Sequence, residues 1–158
     1  MLFMILEKQV AASLIEQKKT LAIAESCSGG LLSHRLTNIS GSSNFLMATL
    51  VTYSYESKTK LLKVPADLLK KHGAVSSKVA SLMAQNVRKM FKTDFGIGIT
   101  GIAGPTGGTK TKPVGLVFIA LSTKSTTKGL ECYFKGSRLN VKQQTTTKAL
   151  QLLLNYIK

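Results

Sequence analysis

The sequence Ala24-Glu25-Ser26-Cys27-Ser28-Gly29-Gly30 predicts a β-strand that turns directly into a helix. It follows the apolar run from Leu21 to Ala24 and precedes a helical pattern from Leu31 to Leu36. Small polar residues at such a turn lie at the carboxyl edge of a sheet, where open α/β sheets bind ligands. Glycines allow close backbone approach, and the first amides of a helix are unpaired donors at the positive end of its dipole. The turn can therefore hold a phosphate or an oxyanion, although many turns of this composition bind nothing.

Two later apolar runs also end in polar or glycine-rich sequence. Val51-Thr52-Tyr53-Ser54-Tyr55-Glu56-Ser57-Lys58 closes one run and enters a helix. Thr100-Gly101-Ile102-Ala103-Gly104-Pro105-Thr106-Gly107-Gly108 closes another. Three successive strand ends of this kind strengthen the prediction of a site at the sheet edge.

The rest of the chain alternates between helical and strand patterns. Five strands are predicted, over residues 20–26, 45–53, 94–101, 115–122 and 129–135. The second is apolar almost throughout, so we expect it to be buried on both faces. Helices are predicted over 4–19, 30–38, 54–63, from Pro65 to Gly73, over 77–91 with Ser76 as N-cap, and over 140–157. The polar segment 123–128 suits a hairpin, and the whole order predicts one α/β domain, 1–158, with helices on both faces of a mixed sheet.

The formal net charge of +15 is the strongest compositional feature. Only Arg35, Arg88 and Arg138 are arginines, and the lysines are scattered without a long basic run or interleaved aromatic residues. Scattered lysines are typical of a solvated surface, so we expect nonspecific affinity for polyanions rather than a physiological nucleic-acid ligand. A positive surface also steers anionic nucleotides toward a binding site.

Cysteine use and hydropathy indicate a cytoplasmic protein. Cys27 and Cys132 are not paired by spacing, and we expect free thiols in a reducing compartment. No apolar run reaches the length of a membrane span, so no membrane partner is expected. No cluster of His, Cys, Asp or Glu has the spacing of metal ligands, so no metal site is predicted.

Five motifs carry a resemblance to a known family. Glu25 to Gly30 reads E-S-C-S-G-G, and Val51 to Lys58 reads V-T-Y-S-Y-E-S-K. His72 to Ser76 reads H-G-A-V-S, Thr100 to Gly108 reads T-G-I-A-G-P-T-G-G, and Lys112 to Gly115 reads K-P-V-G. In this order they resemble the CinA carboxy-terminal domain family, the nicotinamide-nucleotide amidohydrolases, over nearly the whole chain. The resemblance implies a three-layer α/β/α sandwich with a mixed, mostly parallel sheet of about five strands. It also implies a homodimer or larger homo-oligomer and no cofactor.

The activity implied by the resemblance is hydrolysis of the carboxamide of nicotinamide mononucleotide to nicotinate mononucleotide and ammonia, in NAD recycling. The resemblance places the nucleophile at Ser26 and the base at Lys58. A lysine can act as a base when it is desolvated, because its ammonium group then loses its proton more easily. Without the resemblance, Ser26 as a helix cap and Lys58 as a surface lysine are the simpler interpretations. Glu25 is expected to hold Lys58 or a ribose hydroxyl, and Tyr53 to orient the amide or stack near the pyridine ring.

Binding residues are expected on both walls of the site. The backbone amides of Ser28, Gly29 and Gly30 are candidate oxyanion donors. The opposite wall and the substrate contacts are expected from Thr100, Gly101, Gly104, Gly107, Gly108 and Arg138. Structural roles are the better interpretation for His34 and His72, which argues against a Ser-His-Asp triad.

Three departures from the family pattern leave alternatives open. Ser28 replaces a threonine, and Tyr55 replaces an asparagine. The segment 136–144 retains Arg138 but lacks the later arginines that the family carries. One alternative is a nucleotide-binding or regulatory module with little or no turnover, for which Tyr55 and this segment are the motive. The other is a competence or DNA-damage protein that binds nucleic acid.

Overall fold

The computed structural model describes residues 3–157 and places a five-stranded sheet between two layers of helices. The strands are β1 (Leu21–Glu25), β2 (Leu46–Val51), β3 (Phe95–Gly101), β4 (Leu116–Ser122) and β5 (Thr127–Tyr133). The helices are α1 (Phe3–Glu16), α2 (Leu31–Thr37), α3 (Tyr55–Leu62), α4 (Ala66–His72), α5 (Ser77–Phe91) and α6 (Arg138–Ile157), with a 3₁₀ turn at Ser42–Asn44.

The sheet is mixed, and its strands lie in the order β2-β1-β3-β4-β5. β1 pairs in parallel with β2 and β3, whereas β4 is antiparallel to both β3 and β5. Four of the five strands therefore run in the same direction. This arrangement confirms the predicted three-layer α/β/α fold with a mixed, mostly parallel sheet.

The two faces of the sheet are packed differently. Large apolar residues such as Ile23 and Ile97 face the layer of α1, α2 and α6. On the other face, α5 packs closely against small residues of β1 and β3. A Cβ on Gly98 would collide with the backbone of Ala80 and Ala84 in α5, so glycine permits this close approach.

The expectation that the second strand is buried on both faces was wrong. β2 is an edge strand in which half-buried residues alternate with exposed ones. Met47 and Val51 are 44% and 48% exposed, although they lie in an apolar run. The composition of a strand does not determine its place in the sheet, and here the partner on one side is missing among residues 3–157.

Two boundaries at the carboxyl end shift by two residues from the prediction. β5 pairs with β4 from Thr127 opposite Ser122, which shortens the hairpin loop. α6 begins earlier because Ser137 and Asn140 cap it reciprocally: Ser137 Oγ accepts from the Asn140 amide, and Asn140 Oδ1 accepts from the Ser137 amide. Arg138 thereby lies in the first turn of α6. No helix within residues 3–157 has both the length and the hydropathy needed to cross a membrane.

Candidate active site

The β1–α2 turn presents Ser26 at the carboxyl edge of the sheet. Ser26 directly follows β1, and Gly29 and Gly30 continue the turn with φ of +62° and +91°. Side chains rarely adopt this left-handed backbone, so the glycine pair allows the abrupt change from strand to helix. Ser26 is itself buried, with 8% of its surface exposed.

The carboxylate of Glu25 holds this turn in place. It accepts hydrogen bonds from the amides of Gly30 (3.1 Å), Leu32 (3.1 Å) and Ser33 (2.9 Å), and from Ser33 Oγ (2.6 Å). Glu25 therefore satisfies the unpaired amides of α2 and complements the positive end of its dipole. The hydrogen bonds of Glu25 within residues 3–157 are to the turn and α2, and none of them is to Lys58. They position the turn that carries Ser26, and the predicted contact of Glu25 with a ribose hydroxyl stays a prediction.

Lys58 reaches Ser26 from the opposite side. α3 begins at Ser54, which forms a capping box with Ser57, so Lys58 comes at the end of the first helical turn. Lys58 is fully buried, and its Nζ lies 2.9 Å from Ser26 Oγ and 2.6 Å from the carbonyl oxygen of Thr52. The Tyr53 carbonyl oxygen is 3.4 Å away. The two residues predicted as nucleophile and base are thus in hydrogen-bond contact.

The surroundings of Lys58 make its proton easier to lose. Burial lowers the pKa of Lys58 from 10.5 to about 8, and no carboxylate among the described residues forms an ion pair with it. The protonated amine donates to Ser26 Oγ and to the carbonyls of Thr52 and Tyr53. After loss of the proton, two N–H donors and one lone pair remain. The carbonyls can only accept and hold the two N–H groups, which leaves the lone pair directed at Ser26 Oγ.

Cys27 lies next to Ser26 but is a poor nucleophile. Burial raises the pKa of its thiol from 9.0 to about 12, and the neighbouring Glu25 carboxylate acts in the same direction. The thiolate is the reactive form of cysteine, so the protonated thiol is inert at neutral pH. The arrangement therefore favours Ser26 as the attacking group.

Ser26 and Lys58, together called the dyad below, open into a cavity of about 240 Å³. Predicted site residues in its lining are Ser26, Tyr53, Lys58, Thr100, Gly101, Gly104, Gly107 and Arg138. Thr106, which belongs to the glycine-rich loop expected in the opposite wall, also lines the cavity. Five further lining residues were not predicted: Cys27, Ala74, Val75, Ile102 and Ala103. All five lie inside the quoted motifs, which was the available signal. The predicted residues outside the lining are Glu25, Ser28, Gly29, Gly30 and Gly108.

The amides of the turn are not equally free to bind an oxyanion. The Gly29 amide donates to the Ser26 carbonyl (3.0 Å), and the Gly30 amide is bound by Glu25. Both are therefore occupied in this conformation. Ser28 is fully buried and lies outside the cavity lining, and among residues 3–157 no backbone carbonyl is found to accept from its amide. The role of these three amides as oxyanion donors stays a prediction.

Two positively charged side chains of α6, Arg138 in the cavity lining and Lys142 over the β1–α2 turn, lie near the candidate site. Arg138 donates to the Gly104 carbonyl and to Tyr53 Oη, both at 2.7 Å, and so connects two walls. Lys142 is one helical turn further on, with its Nζ 3.4 Å from the position that a Cβ on Gly29 would take. Lys142 belongs to the altered segment 136–144, and its position over Gly29 was not predicted because it depends on the packing of α6.

Comparison with known proteins shows the family to which the chain belongs. The model of the CinA C-terminal domain matches residues 4–157. The chain belongs to the CinA C-terminal domain family. A CinA-like protein of Syntrophus aciditrophicus is 54% identical over 153 residues, which are 96% of this chain and 36% of that protein. A CinA-like protein of Koribacter versatilis is 45% identical over 94% of this chain and 36% of its own length. The chain thus spans about a third of the length of these relatives.

Solved structures of CinA proteins share the whole fold. The competence/damage inducible protein CihA of Agrobacterium tumefaciens is 34% identical, with a TM-score of 0.93 and coverage of 97% of this chain and 95% of that chain. A competence-damaged protein (CinA) superfamily protein of Klebsiella pneumoniae is 31% identical, with a TM-score of 0.94 over 98% of this chain and 97% of that chain. Both support the CinA assignment at the level of sequence and fold.

Proposed function

We propose that this CinA domain hydrolyses the carboxamide of nicotinamide mononucleotide to nicotinate mononucleotide and ammonia, as a cytoplasmic step of NAD recycling. The single observation that carries the proposal is the 2.9 Å contact between Ser26 Oγ and the buried Nζ of Lys58. An amide is a poor electrophile, so its hydrolysis needs an activated nucleophile and a proton carrier. A serine beside a neutral amine supplies both.

The reaction proceeds through an ester on Ser26. The lone pair of Lys58 takes the proton of Ser26 Oγ as the oxygen attacks the carboxamide carbon. The tetrahedral intermediate then breaks its C–N bond, and Lys58 returns the proton so that ammonia leaves. A water molecule, deprotonated by the same amine, attacks the ester, which frees nicotinate mononucleotide and Ser26. No oxidant, reductant or cofactor enters this balance.

The substrate assignment rests on charge as well as on the dyad. Arg138 lines the cavity and places a positive side chain where a phosphate can bind. Lys142, one helical turn further along α6, adds positive charge beside Gly29 of the β1–α2 turn. The glycine-rich loop from Gly104 to Gly108 carries no acidic side chain that would repel a phosphate.

Ammonia release from nicotinamide mononucleotide tests the proposal directly. We expect the purified chain and a Lys60→Met control to release ammonia, because Lys60 is an exposed lysine on the same helix. Ser26→Ala and Lys58→Met should each lower the rate by about a hundredfold or more, the range of general-base contributions. Circular dichroism spectra of all variants should match the parent.

Each other outcome identifies a different failure. Release that survives Ser26→Ala removes the serine mechanism but keeps the reaction. An inactive parent that still binds the nucleotide supports the regulatory module without turnover. Salt-sensitive nucleic-acid binding that persists in Ser26→Ala, with no ammonia release, supports the competence or DNA-damage alternative.

A further inference from the structure

Two of the motifs quoted from the sequence have no role in the proposed chemistry. They are H-G-A-V-S, from His72 to Ser76, and K-P-V-G, from Lys112 to Gly115. Although His72 and Lys112 are 40 residues apart in the chain, Lys112 Nζ donates a hydrogen bond to the carbonyl oxygen of His72. The contact therefore connects the two motifs in space.

The segment from His72 to Ser76, called the 72–76 segment below, forms part of one wall of the cavity. It connects α4 with α5, and its residues Ala74 and Val75 line the cavity. Side chains from other elements hold its backbone. The Ala74 amide donates to Tyr55 Oη at 3.1 Å, and the Ala74 carbonyl accepts from Thr100 Oγ1 at 2.9 Å. Because Ala74 belongs to no helix or strand, its position depends on such contacts.

Lys112 belongs to the connection between β3 and β4, which forms another part of the cavity lining through Gly104, Thr106 and Gly107. A tight turn fixes its backbone: the Thr109 amide donates to the Lys112 carbonyl at 2.8 Å, and the Lys112 amide donates to Thr109 Oγ1 at 3.0 Å. The side chain of Lys112 reaches from this turn to the 72–76 segment. Lys112 thus ties together two parts of the lining without being in the lining itself.

The surroundings of Lys112 differ from those of a surface lysine. Most lysines of the chain are exposed, whereas Lys112 is half-buried. Its ammonium group lies at the carboxyl end of α4, where the last carbonyls lack helical partners and the helix dipole favours a positive charge. Lys112 Nζ and Tyr55 Oη lie 3.4 and 3.6 Å from the position that a Cβ on Gly73 would take. Both side chains therefore converge on the start of the 72–76 segment.

We propose that Lys112 is a positioning residue for the hydrolysis proposed above, on which this inference rests for its substrate. By holding His72, Lys112 sets the distance between the wall of Ala74 and Val75 and the glycine-rich loop, and so orients the carboxamide toward Ser26. The dyad is held by its own contacts with Thr52 and Tyr53, so loss of Lys112 leaves the dyad in place and frees the wall to move. A misplacement of a bound substrate by about 1 Å can lower the rate about a hundredfold.

Hydrogen exchange followed by mass spectrometry tests the contact without reference to catalysis. Lys112→Met keeps the apolar stem and removes the donor. We expect peptides that cover the 72–76 segment to exchange at least about tenfold faster in this variant than in the parent, while peptides of β1 are unchanged. Lys110→Met, at an exposed lysine of the same connection, is the matched control and should exchange like the parent. Unchanged exchange of the segment in Lys112→Met overturns the proposal.

Ammonia release from nicotinamide mononucleotide tests the positioning. In Lys112→Met, kcat/KM should fall at least about tenfold, whereas Lys110→Met should equal the parent. Lys112→Arg keeps a cationic donor for the His72 carbonyl and should recover most of the loss. Labelling of Ser26 by phenylmethylsulfonyl fluoride should proceed at the parental rate in Lys112→Met, because this small reagent requires the dyad but not the spacing of the walls.

The remaining outcomes separate this proposal from the proposed function. A parental kcat/KM in Lys112→Met overturns it, and so does an equal slowing of ammonia release and of labelling, which would mean that Lys112 only stabilises the fold. A parent that releases no ammonia removes the proposed function instead. The Kd of the mononucleotide then decides: a Kd raised in Lys112→Met but not in Lys110→Met supports the role of Lys112 in shaping the cavity, and equal Kd values overturn it.

Discussion

Replacing Lys58 with methionine tests whether the amine is truly held in an apolar environment. Burial lowers its pKa from 10.5 to about 8, and one unit corresponds to 1.36 kcal/mol. Keeping the protonated amine in the folded chain therefore costs about 3 kcal/mol at pH 7. Methionine has a similar length and carries no charge, so the variant does not bear this cost.

The sign of the pH dependence follows from proton binding. Between pH 8 and 10.5 the unfolded chain keeps a proton on Lys58 that the folded chain has already lost. The unfolded state binds more protons in this window, so the stability of the parent rises with pH. Summed over the titration, Lys58 adds about 1 kcal/mol to the free energy of unfolding between pH 7 and 9. The Lys58→Met variant lacks this increment.

Urea unfolding at pH 7 and 9 measures the effect as a difference between parent and variant. Loss of the hydrogen bond to the Thr52 carbonyl destabilises the variant equally at both pH values, so the prediction concerns the change in the gap. Lys60→Met is the matched control, because Lys60 is an exposed lysine on the same helix. A gap that stays constant from pH 7 to 9 would refute a buried amine of lowered pKa.

The same titration predicts how the proposed activity depends on pH. A general base works in its neutral form, and an amine with a pKa of about 8 is about one-tenth neutral at pH 7 and nine-tenths neutral at pH 9. We expect kcat/KM for nicotinamide mononucleotide to rise about ninefold over this range. A profile that is flat, or that falls with pH, would contradict the role of Lys58 as base.

Three further predictions concern the neighbours of the dyad. Glu25→Gln should lower the free energy of unfolding in urea by about 1–3 kcal/mol, because it weakens a buried cap that accepts from three amides. The control Glu56→Gln, at an exposed position, should change the free energy of unfolding by less than about 0.5 kcal/mol. Cys27 should react with iodoacetamide at pH 8 far more slowly than a free thiol, as followed by mass spectrometry, and rapid labelling would contradict the raised pKa of its thiol. Cys27→Ala should retain ammonia release. Arg138→Met should raise KM for the mononucleotide about tenfold or more but leave the riboside without phosphate nearly unaffected, and equal losses on both would remove its role in phosphate binding.

Local patterns predicted the start of two helices well because serine caps lie there. Ser76 Oγ accepts from the Val79 amide, as predicted, and Ser54 Oγ accepts from the Ser57 amide at the predicted start of α3. The position of β2 was not predictable in the same way. Its order in the sheet depends on which strands β1 selects as neighbours, and an apolar run is compatible with an edge as well as with the centre.

Site residues were predictable where a motif contains the reacting side chains. They were less predictable where the conformation of the backbone determines the contacts. The resemblance paired Ser26 with Lys58, and in the structure these two side chains are in hydrogen-bond contact. Glu25 binds amides seven and eight residues further along, a separation that depends on the left-handed conformations of Gly29 and Gly30. No pattern of residue types specifies that path. The same turn also determines that the Gly29 and Gly30 amides are occupied by hydrogen bonds to the Ser26 carbonyl and the Glu25 carboxylate.

Tyr55 illustrates how a departure from the family pattern can be compatible with the site. Its side chain is half exposed and lies outside the cavity lining, and its hydroxyl accepts from the Ala74 amide at 3.1 Å. Ala74 lines the cavity, and its carbonyl accepts from Thr100 Oγ1 at 2.9 Å. The tyrosine thus supports the wall from behind and does not occupy the space beside Lys58. The bulky substitution that motivates a module without turnover therefore leaves the dyad unobstructed, and the altered segment of α6 remains the stronger reason to measure turnover.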